Sequence, residues 1–345
     1  MKIAHVVWFL QMGGIETMLV NIINAQVETE DVTLYIINDI YYPPLLKNLS
    51  PRCKVRMCHR HEGSYNPWPL IKLNYWLWKS TPDIVHVHSY KLSDVIWTRR
   101  HMVRTIHNTK NYSREYPRMK ALYAISDAVR KSTLQQGFES VVVENGIPCG
   151  RIRKKHDYQV ENNCYQLVQV SRLDISQKGQ DILIKAIDEL VNHRGVKNIH
   201  MHFIGEGESE VILKQMVEDL HLKDYITFEG TKTQEYIFTH LCEYDCFIQP
   251  SRYEGFGLTV AEAMVAGLPV LVSNIEGPLE IIKDGRLGMT FKNEDVIDLA
   301  DKIEFILKGK YDYTLVDKAY EHVCNHYDVS VTAKRYLEEY KKILV

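Results

Sequence analysis

The sequence has no run of the roughly 18 apolar residues that a membrane-spanning helix needs, although 45% of its 345 residues are hydrophobic. It also has no cysteine framework. The cysteines number seven, an odd count, and Cys242 and Cys246 have no second pair or histidine at zinc spacing. A disulfide scaffold and a zinc module are therefore excluded, and a reducing, cytoplasmic setting is expected. Met1 to Val7 enters a strand-like run at once, without the charged-then-apolar pattern of a secretory leader. There is no Asp-x-Asp, the simplest carboxylate pair for holding Mg²⁺ on a nucleotide diphosphate. Gly205-Glu206-Gly207 opens like a dinucleotide fingerprint, but Glu210 stands where a further glycine is needed, which argues against NAD.

Net charge is small overall and unevenly spread. The net charge is −2. Residues 1–150 carry 18 Lys and Arg against 12 Asp and Glu; residues 151–345 carry 24 against 32. The difference suggests two domains with unlike surfaces, as the length also does. The basic excess lies between Arg52 and Arg60 and between Arg99 and Lys120. It fits a solvated face, a phosphate-bearing acceptor or an anionic membrane surface. No nucleic-acid motif accompanies it, so nucleic acid is not expected as a partner.

What is present is an alternation of short β-branched runs with amphipathic segments. Ile3 to Phe9, Val32 to Ile37, Ile84 to His88, Met102 to His107, Leu122 to Ser126 and Val141 to Glu144 read as strands. After a polar stretch the pattern restarts at Leu167 to Val170, His200 to Ile204, Ile226 to Phe228, Cys246 to Gln249 and Pro269 to Val272. This predicts an α/β chain with two doubly wound parallel sheets. The expected domains are 1–155 and 156–328, with a last helix at 329–345. Ligands of such sheets bind beyond the carboxyl ends of the strands.

Four segments carry chemistry at those ends. Glu254-Gly255-Phe256-Gly257-Leu258 follows Cys246 to Gln249 and leads into a helix holding Glu262. Glycines let backbone amides approach a ligand, and a helix N-terminus favours pyrophosphate. A carboxylate such as Glu254 or Glu262 suits a vicinal diol. Arg172 and Lys178 follow Leu167 to Val170 and form a candidate phosphate clamp. Gly13 and Gly14 after the first strand read either as a plain turn or as a place of close approach. His107 ends Met102 to Ile106 and can reach a ligand there. His86 and His88 share one sheet face; with no third ligand suggested, they read as structural or site-lining rather than metal-binding.

These residues resemble the retaining GT-B glycosyltransferases of family GT4, a group that includes many capsular and exopolysaccharide enzymes. The resemblance rests on Glu254-x7-Glu262 in its glycine context, Ser171-Arg172-Leu173 with Lys178-Gly179, and Gly13-Gly14-Ile15-Glu16. Ala124-Ile125-Ser126, Glu144-Asn145-Gly146-Ile147-Pro148, Ala266-Gly267-Leu268-Pro269-Val270 and Asp284-Gly285 extend it along the chain. It implies two Rossmann-like domains facing across a cleft, the first for the acceptor and the second for the nucleotide sugar. By the same resemblance Arg172 and Lys178 would hold the donor diphosphate, aided by amides from Gly255 to Leu258. Glu262 would grip the ribose, and Glu254 would meet the transferred sugar. His107 would touch the donor sugar or its phosphate, and the Gly13-Gly14 loop would approach phosphates and acceptor. The base would lie near Gly205, Gly207 and Gly230.

The expected activity is hexosyl transfer from a nucleotide diphosphate sugar, with UDP favoured, to a glycan or lipid-linked saccharide in cell-surface polysaccharide synthesis. No cofactor and no metal are expected. Peripheral contact with an anionic inner membrane face is included. A non-catalytic nucleotide-sugar-binding subunit and a GT-B-like sugar-nucleotide epimerase are the alternatives. Asn108-Thr109 after His107, and Ile275-Glu276-Gly277-Pro278 in place of a glycine-rich turn, depart from the family pattern and bear on donor identity.

Overall fold

Strands buried on both faces need near-continuous apolar sequence, and the computed structural model pairs such strands into two all-parallel sheets. It describes every residue except 12, 99, 110–113, 161–162 and 345. The chain forms two compact units, Met1–Pro148 with Tyr327–Val345, and Cys149–His326.

The first unit holds β1 (Lys2–Val7), β2 (Asp31–Asn38), β3 (Lys54–Arg60), β4 (Ile84–Val87), β5 (His101–Ile106), β6 (Ala121–Ala124) and β7 (Val141–Val142). Their order is β3-β2-β1-β4-β5-β6-β7. The second unit holds β8 (Tyr165–Val170), β9 (Ile199–Ile204), β10 (Ile226–Gly230), β11 (Cys246–Gln249), β12 (Val270–Ser273) and β13 (Met289–Phe291), in the order β10-β9-β8-β11-β12-β13. In each sheet the winding reverses once, between β1 and β4 and between β8 and β11. Loops leaving adjacent strands at such a point run in opposite directions and open a crevice at the carboxyl edge.

β3 and β13 are not expected from the sequence, and each has a reason. In Lys54–Arg60 basic residues alternate with Val55, Met57 and Cys58, and the strand is largely exposed, because it is the edge of its sheet. Charged edge strands resist pairing with other chains. Met289–Phe291 is three residues long and also lies at an edge.

The helix Gln180–Asp188 buries Ile182, Leu183, Ala186 and Ile187 at helical spacing against the second sheet. The helix Val329–Leu344 buries Thr332, Ala333, Tyr336 and Tyr340 and packs on the helix Gly14–Gln26. That contact lies within the first unit.

Candidate active site

In the second unit the loop after β8 and the loop after β11 flank the reversal point. Gly179 holds them together. Its φ is +65°, and a Cβ there would stand 2.1 Å from the Pro250 carbonyl oxygen. Only a residue without a side chain permits both the backbone conformation and the approach. The loop after β9 closes on the loop after β8 in the same way. Gly205 has φ +135°, and a Cβ would lie 2.1 Å from the Ser171 carbonyl oxygen. Gly207 packs on Leu173, whose amide donates to the Glu206 carbonyl at 3.0 Å. Gly205 and Gly207 thus have a packing role whether or not a base lies near them. Gly230 ends β10, and its carbonyl accepts from the Gly205 amide at 2.9 Å.

The charged groups sit on this frame. Lys178 Nζ donates to Glu254 Oε2, and both side chains are about five-sixths buried. Glu254 also accepts from Gln249 Nε2 at 3.3 Å, and Gln249 Oε1 accepts from Thr259 Oγ1 at 2.9 Å. The Lys178 carbonyl accepts from Gln169 Nε2 at 3.1 Å. Gln169, Gln249 and Thr259 therefore orient the pair, and the sequence alone did not single them out. Arg172 is two-thirds exposed and bonds its own neighbour Asp174 at 2.7 Å. Each member of the expected clamp is thus neutralised by a carboxylate in the free protein. Arg252 fixes the loop by bonding Asp181 at 2.8 and 3.0 Å and Glu294 at 2.8 Å.

Gly257 (φ +106°) precedes the helix Leu258–Val265, which has no side-chain cap and no acid in its first turn. Phe256 is buried beneath the loop. The segment Ile275 to Pro278 is not a turn. It opens the helix Glu276–Ile281, and a Cβ on Gly277 would stand 2.7 Å from the Glu254 carbonyl oxygen. This helix start backs the Glu254 loop directly. Glu262 lies in the second turn of Leu258–Val265. Burial pushes its carboxyl up to about 8, and no cation or hydrogen-bond donor meets it among the described residues. A half-buried carboxyl group without a partner among the described residues is suited to a ligand that brings its own donors.

In the first unit, Gly13 caps the helix Gly14–Gln26 in extended conformation, close to the Glu16 carboxyl group. Burial raises Glu16 above the usual carboxylate range. His107 follows β5. Both its ring nitrogens are buried without a partner among the described residues, and burial, with Arg104 nearby, pushes its pKa down to about 4. Its ring lies 6.4 Å from that of His88.

The sequence suggested no third histidine beside His86 and His88; the sheet supplies His5, paired in register with His86 across β1 and β4. Ligand-capable atoms of these three lie within 4.8 Å of one another. They are spent largely on hydrogen bonds. His5 Nδ1 and His88 Nε2 share one at 2.9 Å, and His5 Nε2 meets Gln26 Oε1 at 2.8 Å. His86 Nδ1 meets the Tyr340 hydroxyl at 2.6 Å, and Nε2 meets Thr105 at 2.8 Å. Of the three, His86 joins the sheet to the C-terminal helix through Tyr340.

The expected basic face at Arg99 to Lys120 is corrected in part. Arg104 is buried and bonds Glu115 at 3.4 Å, so it presents no charge to a surface. Arg118 pairs with Asp94 at 2.7 Å. Arg99 and Lys110 lie outside the described residues.

Known proteins resemble this chain over nearly its whole length. The family profile described as "Glycosyltransferase Family 4" matches residues 12–151, and "Glycosyl transferases group 1" matches residues 151–322. An uncharacterised protein in the cps region of Klebsiella pneumoniae is 28% identical over 181 residues, 52% of this chain and 48% of its own. Poly(ribitol-phosphate) α-N-acetylglucosaminyltransferase of Staphylococcus aureus is 26% identical over 223 residues, 64% of this chain and 43% of its own. The matched segments span less than half the length of these relatives. Among solved structures, Anabaena HepE in complex with UDP and glucose superposes with a TM-score of 0.82 at 19% identity, covering 99% of this chain and 100% of that one. Two parallel α/β units, two adjoining profiles and a shared GT-B fold converge: the chain belongs to the GT-B glycosyltransferases of family 4.

Proposed function

We propose that the protein transfers a hexose-type sugar, with retention, from a UDP-sugar to a glycan or lipid-linked saccharide in cell-surface polysaccharide synthesis. The second unit takes the donor and the first takes the acceptor. The observation that carries this is the Lys178–Glu254 pair at the β8–β11 reversal point, with Glu262 on the helix that follows the Glu254 loop. An arriving diphosphate competes with Glu254 for Lys178 and with Asp174 for Arg172. The freed Glu254 then accepts hydroxyls of the sugar, and Glu262 accepts those of the ribose. Amides from Gly255 to Leu258 meet the phosphates at the helix start.

In the reaction the bond between the sugar C1 and the phosphate oxygen breaks, and a bond from an acceptor oxygen to C1 forms. The acceptor proton passes to the departing phosphate. Lys178 and Arg172 stabilise the charge that develops there. Two fixed cations and a helix start take the place of a metal in this reading. The Gly13-Gly14 loop gives close access to the acceptor. The enzyme works in the cytoplasm, in peripheral contact with the anionic inner membrane face.

The relatives support a nucleotide-sugar donor but divide on the base. The HepE structure holds UDP, whereas a mannosyltransferase of Mycobacterium tuberculosis with 28% identity is GDP-mannose-dependent. Calorimetric titration with UDP and GDP, without added metal, tests the donor. Preferential binding of UDP is expected. Preferential binding of GDP would overturn the choice of base, and binding of neither would overturn the donor site. Transfer of label to an added saccharide acceptor, with none in its absence, separates a transferase from an epimerase or a binding subunit.

A further inference from the structure

Tryptophan is usually well buried even when it is not fully so, yet three of the five tryptophans here are mostly exposed. Trp68, Trp78 and Trp97 are 70%, 74% and 65% exposed. All three gather about the helix Trp68–Ser80. Its inner face buries Pro69, Leu73 and Leu77. Its outer face carries Trp68, Lys72, Tyr75 and Lys79 at helical spacing, with Trp78 beside Tyr75 at 6.2 Å between rings. Trp97 is held alongside, because its amide donates to Asn74 Oδ1 at 2.7 Å and Asn74 in turn bonds the Val95 carbonyl at 2.8 Å. The aromatic surface is therefore built, not frayed.

Its unpaired charge is positive. No Asp or Glu occurs from Gly63 to Pro82. Lys54 and Arg52 are neutralised by Asp31 and Glu28, but Arg56, Lys72 and Lys79 have no carboxylate partner among the described residues. Lys72 and Arg56 lie over the Trp76 ring at 4.6 and 5.5 Å. At the end of the helix an open hollow of about 330 Å³ is lined by Lys2, Lys54, Arg56, Trp76 and Lys79, with Asp31, held by Lys54, as its acid; it is large enough for a phosphate headgroup.

We propose that this face of the first unit seats on an anionic phospholipid surface. Trp and Tyr carry an apolar ring with a polar tip and settle at the level of lipid headgroups. Lys extends its charge toward the phosphates while its stem stays among the rings. A face meant for another protein copy would need acids to match Arg56, Lys72 and Lys79, and the nearby acids Asp31 and Glu28 are already paired with Lys54 and Arg52. The inference rests on the peripheral membrane contact proposed above and gives it a location, on a helix rather than on the Arg99 to Lys120 segment.

Vesicle sedimentation tests it, using phosphatidylcholine alone and phosphatidylcholine mixed with phosphatidylglycerol. The wild-type protein is expected to bind only the mixed vesicles, with a blue shift of tryptophan emission and quenching by brominated lipid. W68S/W78S is expected to lower the partition coefficient at least ~10-fold, and K72E/K79E to abolish the preference for anionic lipid. Thermal melting and nucleotide titration should be unchanged in both, since these side chains are exposed and lie outside the donor residues. No binding by the wild type would overturn the membrane contact itself. Wild-type binding that survives both double substitutions would overturn only this location. Concentration-dependent dimerisation of the wild type, abolished by W68S/W78S and unaffected by lipid, would make the face a contact between copies and overturn the proposal.

Discussion

Glu262 gives the narrowest prediction of the site. Burial alone pushes its carboxyl up to about 8, so the free protein holds it protonated at pH 7. A ribose diol brings two donors, for which a carboxylate is a better acceptor than a carboxylic acid. Nucleotide binding should return the group toward its ordinary value of about 4.3. At pH 7 that releases about 0.9 proton per site. By linkage, affinity should rise about 50-fold between pH 6 and pH 8 and level off above that. The assay is calorimetry in buffers of different ionisation enthalpy, where the slope of heat against buffer enthalpy counts protons. The terminal phosphate of UDP titrates in the same range, so the quantity that matters is the difference between wild type and E262Q. Equal proton release in the two would refute the reasoning. The free protein supplies a second check with its own sign. A carboxyl raised by folding costs stability once it ionises, so stability should fall as pH rises from about 4.5 through 8. E262Q should remove that loss and melt higher than the wild type at pH 8, while binding UDP more weakly.

Three other predictions concern the frame around this residue. K178A should keep its fold and lose ~10²-fold or more in turnover, measured as nucleotide release in the presence of acceptor; wild-type turnover would remove Lys178 from the reaction. G205A forces a side chain to within 2.1 Å of a carbonyl at φ +135° and should cost ~2 kcal/mol or more, read as a drop of several degrees in the melting of the second unit. The first unit should be acid-labile. Folding lowers His5 and His107 to about 4 and depresses His86 and His88 as well. Their unfolded forms take up protons near 6.5, so stability is full above that pH and is lost as pH falls toward 4. Thermal melting across that window, with H5Q as comparison, checks it.

Much of this was legible in the sequence because it lies in local patterns. The β-branched runs that became β1, β2, β8 and β11 are mostly apolar, so largely buried strands could be read directly. Glu254, Glu262, Arg172 and Lys178 were legible because each follows a strand end, and the order of strands brings those ends together. The rest depends on pairings that no local pattern contains. His5 is one histidine in a buried strand until β1 is laid beside β4, and only then does it meet His86 and His88. Arg104 reads as surface charge until Glu115 and two tyrosine rings close over it. Lys54–Arg60 hid its strand because an edge tolerates the charges that a central strand would not. Gln249 and Thr259 carry no catalytic signature by type and gain their meaning only from the carboxylate they hold.

The return of the chain to its starting unit has a consequence for synthesis. The chain leaves the first unit after Pro148 and re-enters at Tyr327. At the two crossings the Ile147 amide bonds the Tyr327 carbonyl, and the Val329 amide bonds the Ile147 carbonyl, each at 2.9 Å. The second unit is thus one uninterrupted stretch set inside the first. During translation it can complete its sheet and core as it emerges. The first unit has by then all seven strands, but the faces of His86 and Thr105 still await Tyr340 and Tyr336. The order of folding is therefore the reverse of the order of synthesis: the half made first is the half finished last, and the closing helix completes it.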